Sequence, residues 1–229
     1  SKLITMSMSV LRRKKKNIPK IKGILQILQK GVRNCGCLFL FCLIACKSSD
    51  REVAQKIAAA KLLIKSGDII VRNGRDGVSR VARSFNRRDK TYSHCGILQV
   101  ENDSVFVYHA IGGDYNRSQA LLREPIEKFC LPKEADKFAV FRYPLNDEQV
   151  NALTTVVKKH YAHKLLFDWY FNFDTDDRMY CSEFVFKCMN GVLNNELQGF
   201  LPQEQDPVYV SIDDLYLNDM AILIFEAQF

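Results

Sequence analysis

Apolar residues recur along this chain with two periods. Residues 50–65 carry Val53, Ile57, Ala60, Leu63 and Ile64 at helical spacing, and Ser66-Gly67 supplies a stop. Residues 68–72 read as a strand, Gly74 and Gly77 bracket a turn, and Val78, Val81, Ala82 and Phe85 mark a short helix with arginines on its other side. Residues 92–100 and 104–111 alternate as two strands around Asn102-Asp103, the pattern of a β-hairpin. Residues 118–123 predict a third strand and residues 137–143 a fourth. Asn146, with Gln149 three positions on, opens a helix that runs to about Tyr161. A loop over residues 163–179 leads to a second helix beginning at Cys181, with Phe184, Val185 and Cys188 on its buried face. Residues 211–217 predict a helical turn, and residues 221–225 a closing buried strand. Strands in a run with segregated helices predict an α+β fold with a mainly antiparallel sheet.

The chain has 229 residues, enough for one sizeable domain, and its 47% hydrophobic and 26% charged shares are those of a globular protein. Its net charge of +7 comes from one end. Residues 1–45 hold ten Lys or Arg and no acid, leaving 23 basic against 26 acidic residues in the remainder. That distribution excludes a basic nucleic-acid surface on the domain. Behind the basic run Arg12–Lys16, residues 38–45 are continuously apolar and end at Cys46. So short a stretch does not span a bilayer, which takes about twenty residues. It suits the core of a signal peptide. Leu43-Ile44-Ala45-Cys46 resembles a bacterial lipobox, which predicts removal of residues 1–45, lipidation of Cys46, and a membrane-anchored protein in the cell envelope. The organisation expected is then a signal over 1–45, a lipidated N-terminus with the leading helix over 46–66, and a catalytic domain over 67–229.

Cys181 lies in the first turn of its helix, where unpaired N–H groups and the helix dipole favour a thiolate. A cysteine nucleophile needs a base, and the base needs a group to orient it. His94 opens the first strand of the hairpin and His109 closes the second. With the turn at Asn102-Asp103, position i pairs with 205 − i, so His94 faces Ile111 and shares a face with His109. Their Cβ atoms then lie about 7–8 Å apart. Gly96 leaves room for close approach of a neighbouring strand. Cys181 and Cys188 are about 10.5 Å apart along one helix and do not pair with each other. No metal site is expected. His160 and His163 have no matching acid–histidine set, and the acids Asp174, Asp176 and Asp177 fail the calcium-loop pattern at Met179 and Val185.

Ser66-Gly67-Asp68-Ile69-Ile70, Tyr92-Ser93-His94-Cys95-Gly96-Ile97, Val107-Tyr108-His109-Ala110 and Tyr180-Cys181-Ser182-Glu183 together resemble the permuted papain-like amidases of YaeF/YiiX type. These belong to the wider NlpC-like superfamily, which includes lecithin retinol acyltransferase. The resemblance covers about residues 62–225. It implies a circularly permuted papain-like fold, Cys181 as nucleophile, His94 as general base and His109 in the place of the third polar residue, often a glutamate. It also implies acyl transfer through a thioester, without a cofactor. The Cys181 backbone N–H is the first candidate oxyanion donor, with Tyr92 and Tyr180 candidates for a second. The substrate expected is a cell-wall peptide amide. The alternatives are a lipid or N-acyl amidase or acyltransferase, and a ligand-binding lipoprotein without catalysis.

Overall fold

The computed structural model describes residues 51–202 and 208–229. Cys46 and the basic and apolar tail, with the signal and lipidation expected there, lie outside these residues. Eight strands form in chain order: β1 (Ile69–Gly74), β2 (His94–Glu101), β3 (Ser104–His109), β4 (Leu122–Pro125), β5 (Ala135–Arg142), β6 (Leu166–Phe167), β7 (Arg178–Met179) and β8 (Ile222–Gln228). Six make one antiparallel sheet in the order β4-β3-β2-β1-β5-β8, while β6 and β7 pair in parallel beside it. The fold is α+β, as the apolar pattern requires.

Alternation along the strands builds two cores. Ile69, Val71, Cys95 and Ile97 point to one face, which α4 (Asp147–Ala162) and α5 (Cys181–Val192) cover with Leu153, Val157, Phe184 and Val185. Ile70, Leu98, Val107 and Val140 point to the other, against α1 (residues 51–61) and α3 (Ile126–Phe129). Val53, Ile57 and Ala60 of α1 are buried there, so the leading helix packs on the sheet itself. A further helix, α2 (Gly77–Ser84), buries none of its residues.

The hairpin register is the one its turn dictates. Ile97 pairs with Tyr108 and Glu101 with Ser104, each pair summing to 205. Asn102 and Asp103 both take positive φ, the backbone of a two-residue turn that matches the twist of its strands. The Asn146–Gln149 capping box forms with both hydrogen bonds, and α4 runs to Ala162.

Several elements differ from expectation: the segment read as a loop over residues 163–179 holds β6 and β7, and α3 was not foreseen. The third strand begins at Leu122 rather than at 118, because Asn116 and Ser118 draw the preceding residues into turns. The last strand is an edge, not a buried strand. It pairs only with β5, and Ile222 and Leu223 are 59% and 53% exposed.

Candidate active site

Cys181 is the first residue of α5. Tyr180 is the N-cap residue, and the Glu183 carboxylate accepts from its N–H at 3.2 Å. Burial raises the Glu183 carboxyl to about 7, even with Lys187 at 3.0 Å drawing it down. Lys187 also donates to Phe173 and Thr175 carbonyls at 2.8 and 2.7 Å and to Asp176 at 2.7 Å, which ties the acidic loop to the helix. Asp176 thus has a cation of the chain itself as partner.

The Cys181 thiol is held below the ordinary thiol range. The Cys95 side chain contributes most, burial opposes it, and backbone N–H groups of Cys95, Ser182 and Cys181 add to the lowering. The cause is simple: an anion at a helix N-terminus meets unpaired N–H dipoles and one neighbouring S–H donor. Cys95 has the opposite fate. Burial, then the adjoining Cys181 sulfur, drives its thiol far upward. Cys95 therefore keeps its proton and donates it to Cys181. Cys188, buried on the same helix, is pushed up by burial alone.

On the opposite face of the sheet, β2 and β3 bring two imidazoles together. His94 Nε2 lies 2.8 Å from His109 Nδ1, and His109 Nε2 lies 3.1 Å from Glu124 Oε2 on β4. Close strand approach makes this contact. A Cβ at Gly96 would fall 2.6 Å from Val107 Cγ1 and 2.8 Å from the Tyr108 carbonyl oxygen, so only glycine lets β3 carry His109 this near. Burial opposes ionisation of Glu124, but hydrogen bonds from His109, Lys128 and Tyr115 bring it to about 2. Burial lowers the histidines, with His109 and Arg72 adding to the effect on His94. Arg72 donates to the Phe129 carbonyl at 2.7 Å, and the Phe129 ring packs on both imidazoles.

These partners assign the protons. Ionised Glu124 accepts from His109 Nε2–H, which leaves His109 Nδ1 as an acceptor for His94 Nε2–H. His94 Nδ1 is then the bare nitrogen, with a lone pair able to take a proton. The link from His94 to His109 runs through Nε2. The third group that sequence reasoning missed is Glu124. It stands just beyond residues 118–123 and directly before Pro125, where it reads as a surface acid. Extending that strand by one residue would have put it on the His109 face, since Leu122 pairs with His109.

The two halves meet at the start of β2. Among the described residues no hydrogen bond of His94 reaches Cys181. The sulfur instead lies against the Cys95 N–H, the amide of the peptide that joins His94 to Cys95.

Of the candidate oxyanion donors, the Cys181 N–H points at the site. Tyr180 has its hydroxyl within 2.9 Å of the Val210 N–H, from which it accepts, so its own proton is left to donate. Tyr92 is a correction: its hydroxyl donates to Glu226 Oε1 at 2.6 Å on the edge strand, and its ring packs on Tyr216. Cys181, half-buried, lies at the end of a cleft of about 730 Å³ walled by α2, residues 170–174 and residues 208–212. No group of three or more metal-ligating side chains occurs among the described residues.

Residues 63–204 match the family described as "Permuted papain-like amidase enzyme, YaeF/YiiX, C92 family". The chain is 29% identical over 133 residues to the uncharacterized protein YiiX of Escherichia coli K12, a match that takes in 56% of this chain and 59% of that protein. The chain thus spans about three-fifths of the length of this curated relative. A crystal structure described as that of metalloprotein yiiX from Escherichia coli O157:H7 superimposes with a TM-score of 0.56 at 22% identity, over 73% of this chain and 98% of that one. That likeness shows the shared fold.

Proposed function

We propose, since the chain belongs to the permuted papain-like amidase family of YaeF/YiiX type, that it is a cysteine hydrolase which opens an amide through a thioester on Cys181. The observation that carries this reading is the place of Cys181, half-buried at the first position of α5 and lining the cleft. Cys181 is held toward thiolate by helix N–H groups and a Cys95 S–H donor.

His94 is the base in this account. Its bare Nδ1 takes the thiol proton as sulfur attacks the carbonyl carbon. The C–N bond then breaks, and the same proton passes to the leaving nitrogen. Water, deprotonated by His94, releases the acid and restores the thiol. Glu124 and His109 fix the tautomer and share the positive charge that develops on His94. The Cys181 N–H and the Tyr180 hydroxyl stabilise the oxyanion.

The tail sequence adds a location to this proposal. With residues 1–45 as a lipoprotein signal, Cys46 would tether the hydrolase to a membrane of the cell envelope. Cell-wall peptides and acyl amides are both within reach there. The test of the reaction is an acyl-enzyme trap. A p-nitrophenyl ester should leave its acyl group on Cys181, read by peptide mass spectrometry, and Cys181→Ala should lose both the adduct and the turnover. Turnover retained by Cys181→Ala would overturn the proposal.

A further inference from the structure

Resting on the reading of Cys181 as nucleophile, we infer that the cleft beside it takes the unbranched hydrocarbon chain of an acyl substrate rather than a peptide. The helix α2 is the first observation. Val78, Val81 and Phe85 recur at helical spacing, yet they are 80%, 58% and 56% exposed, and no residue of the helix is buried. The helix is held by polar contacts instead. Asp76 caps Ser79 N–H at 2.6 Å, and Arg83 binds the Asn73 side chain and the Gly74 carbonyl. Its apolar side is turned to the cleft and has no core to serve.

The second observation is an unbroken aromatic path from that helix to the sulfur. Phe85 stacks on Phe171 with centroids 6.2 Å apart, and Phe171 packs on Tyr180 at 5.2 Å, next to Cys181 in the chain. Val208 extends the opposite wall.

The third observation concerns what the cleft does not offer. An extended peptide needs donors and acceptors for its backbone. The polar residues of the inner wall make their hydrogen bonds within the protein. Asn86 donates to the Asp89 and Tyr92 carbonyls and accepts from Ile212 N–H. Ser182 donates to the Val210 carbonyl at 2.8 Å, and Ser211 lies between Asp213 and Asp214. Val210 N–H is held by Tyr180. Asn172 and Asp174 put polar groups on the side of residues 170–174, while Val78, Val81, Phe85, Phe171 and Val208 give the rest of the space a hydrocarbon and ring surface, which suits a chain that asks for no hydrogen bond. The volume of about 730 Å³ lies within the range of small-molecule sites.

The chemistry follows the same balance as before. The thiol adds to the acyl carbonyl, the bond from that carbon to the leaving nitrogen or oxygen breaks, the leaving group receives the proton, and water frees the fatty acid.

The experiment is a series of p-nitrophenyl esters from acetyl to decanoyl, with an N-blocked dipeptide ester of matched size beside them. The specificity constant should rise roughly threefold to fourfold for each added methylene until the cleft is full, which makes octanoyl, six methylenes longer, about seven-hundredfold or more better than acetyl. The rise should flatten in Val81→Glu, an exposed position whose charge leaves folding intact, and persist in Val81→Leu. A flat series, or a dipeptide ester that outruns octanoyl, overturns the acyl-chain inference while acylation of Cys181 preserves the hydrolase. Absence of acylation with every ester overturns both.

Discussion

The two faces of one sheet do different work. On the α5 face, Cys181 is half-buried, open to the cleft and flanked by a thiol that keeps its proton. On the opposite face, His94, His109 and Glu124 are sealed beneath Phe129 and Arg72, with His109 fully buried. The strand β2 joins them, since adjacent residues on a strand point to opposite sides. Cys95 belongs to the first face and His94 to the second. In the proposed roles, Cys181 as nucleophile needs access and sits where the fold is open. His94 as base needs a fixed tautomer, and its partners sit where water and alternative rotamers are excluded. One peptide, between His94 and Cys95, is where accessibility and rigidity meet.

If that contrast is right, the closed face should be sensitive to truncation and the open one tolerant. Phe129→Ala should cost about 3–5 kcal/mol, since the ring is fully buried against both imidazoles. Phe85→Ala, at a half-exposed ring, should cost less than about 0.5 kcal/mol. Thermal unfolding of the two variants measures both. Equal losses would erase the distinction.

Glu124→Gln should lower turnover about ten- to a hundredfold, a part of the roughly 10²–10⁴ that a positioned base contributes. The amide still accepts from His109 but offers no charge to the developing imidazolium. The same variant has a pH signature. Glu124 titrates at about 2 in the fold, below the ordinary carboxyl value, so its stabilisation is present above roughly pH 4.5 and is lost as pH falls toward 2. Acid unfolding should be less steep in Glu124→Gln over that window, as seen by circular dichroism.

Gly96→Ala probes the contact between the strands. A Cβ there meets Val107 and the Tyr108 carbonyl, so β3 must move, at a cost of about 1–3 kcal/mol. The displacement separates His109 from His94, and the imidazole N–H resonance of that hydrogen bond should disappear from the proton NMR spectrum. Its survival would show that the strands absorb the methyl. The smallest effect belongs to Cys95→Ala. Losing the S–H donor should raise the Cys181 thiol and slow its alkylation at pH 7 by a few-fold, with the fold preserved.

Much of this was legible in the sequence because it is local. A two-residue turn sets the hairpin register, and register with parity fixes which side chains share a face, so the His94–His109 meeting could be read from spacing. Cys181 at a helix start was equally local. What escaped depends on contacts distant in sequence. Glu124 joins the site through the β3–β4 pairing, across a connection whose turns gave no register. Cys95 finds Cys181 only when α5 lies on the sheet. The cleft is assembled from three separated segments, and α2 alone reads as an ordinary amphipathic helix. Tyr92 was placed near the site by sequence adjacency to His94, but it lies outside β2 and its hydroxyl reaches Glu226 on the edge strand.

The central claim is that Cys181 is an activated thiol and Cys188, on the same helix, is not. The direct measurement is the pH dependence of iodoacetamide alkylation of the native protein, with each cysteine followed separately by mass spectrometry. The account predicts that Cys181 alkylates with a midpoint below the ordinary thiol value of about 8.5, while Cys188 stays unmodified across the same range. A Cys181 midpoint at or above 8.5, or equal slow labelling of the two, would contradict it.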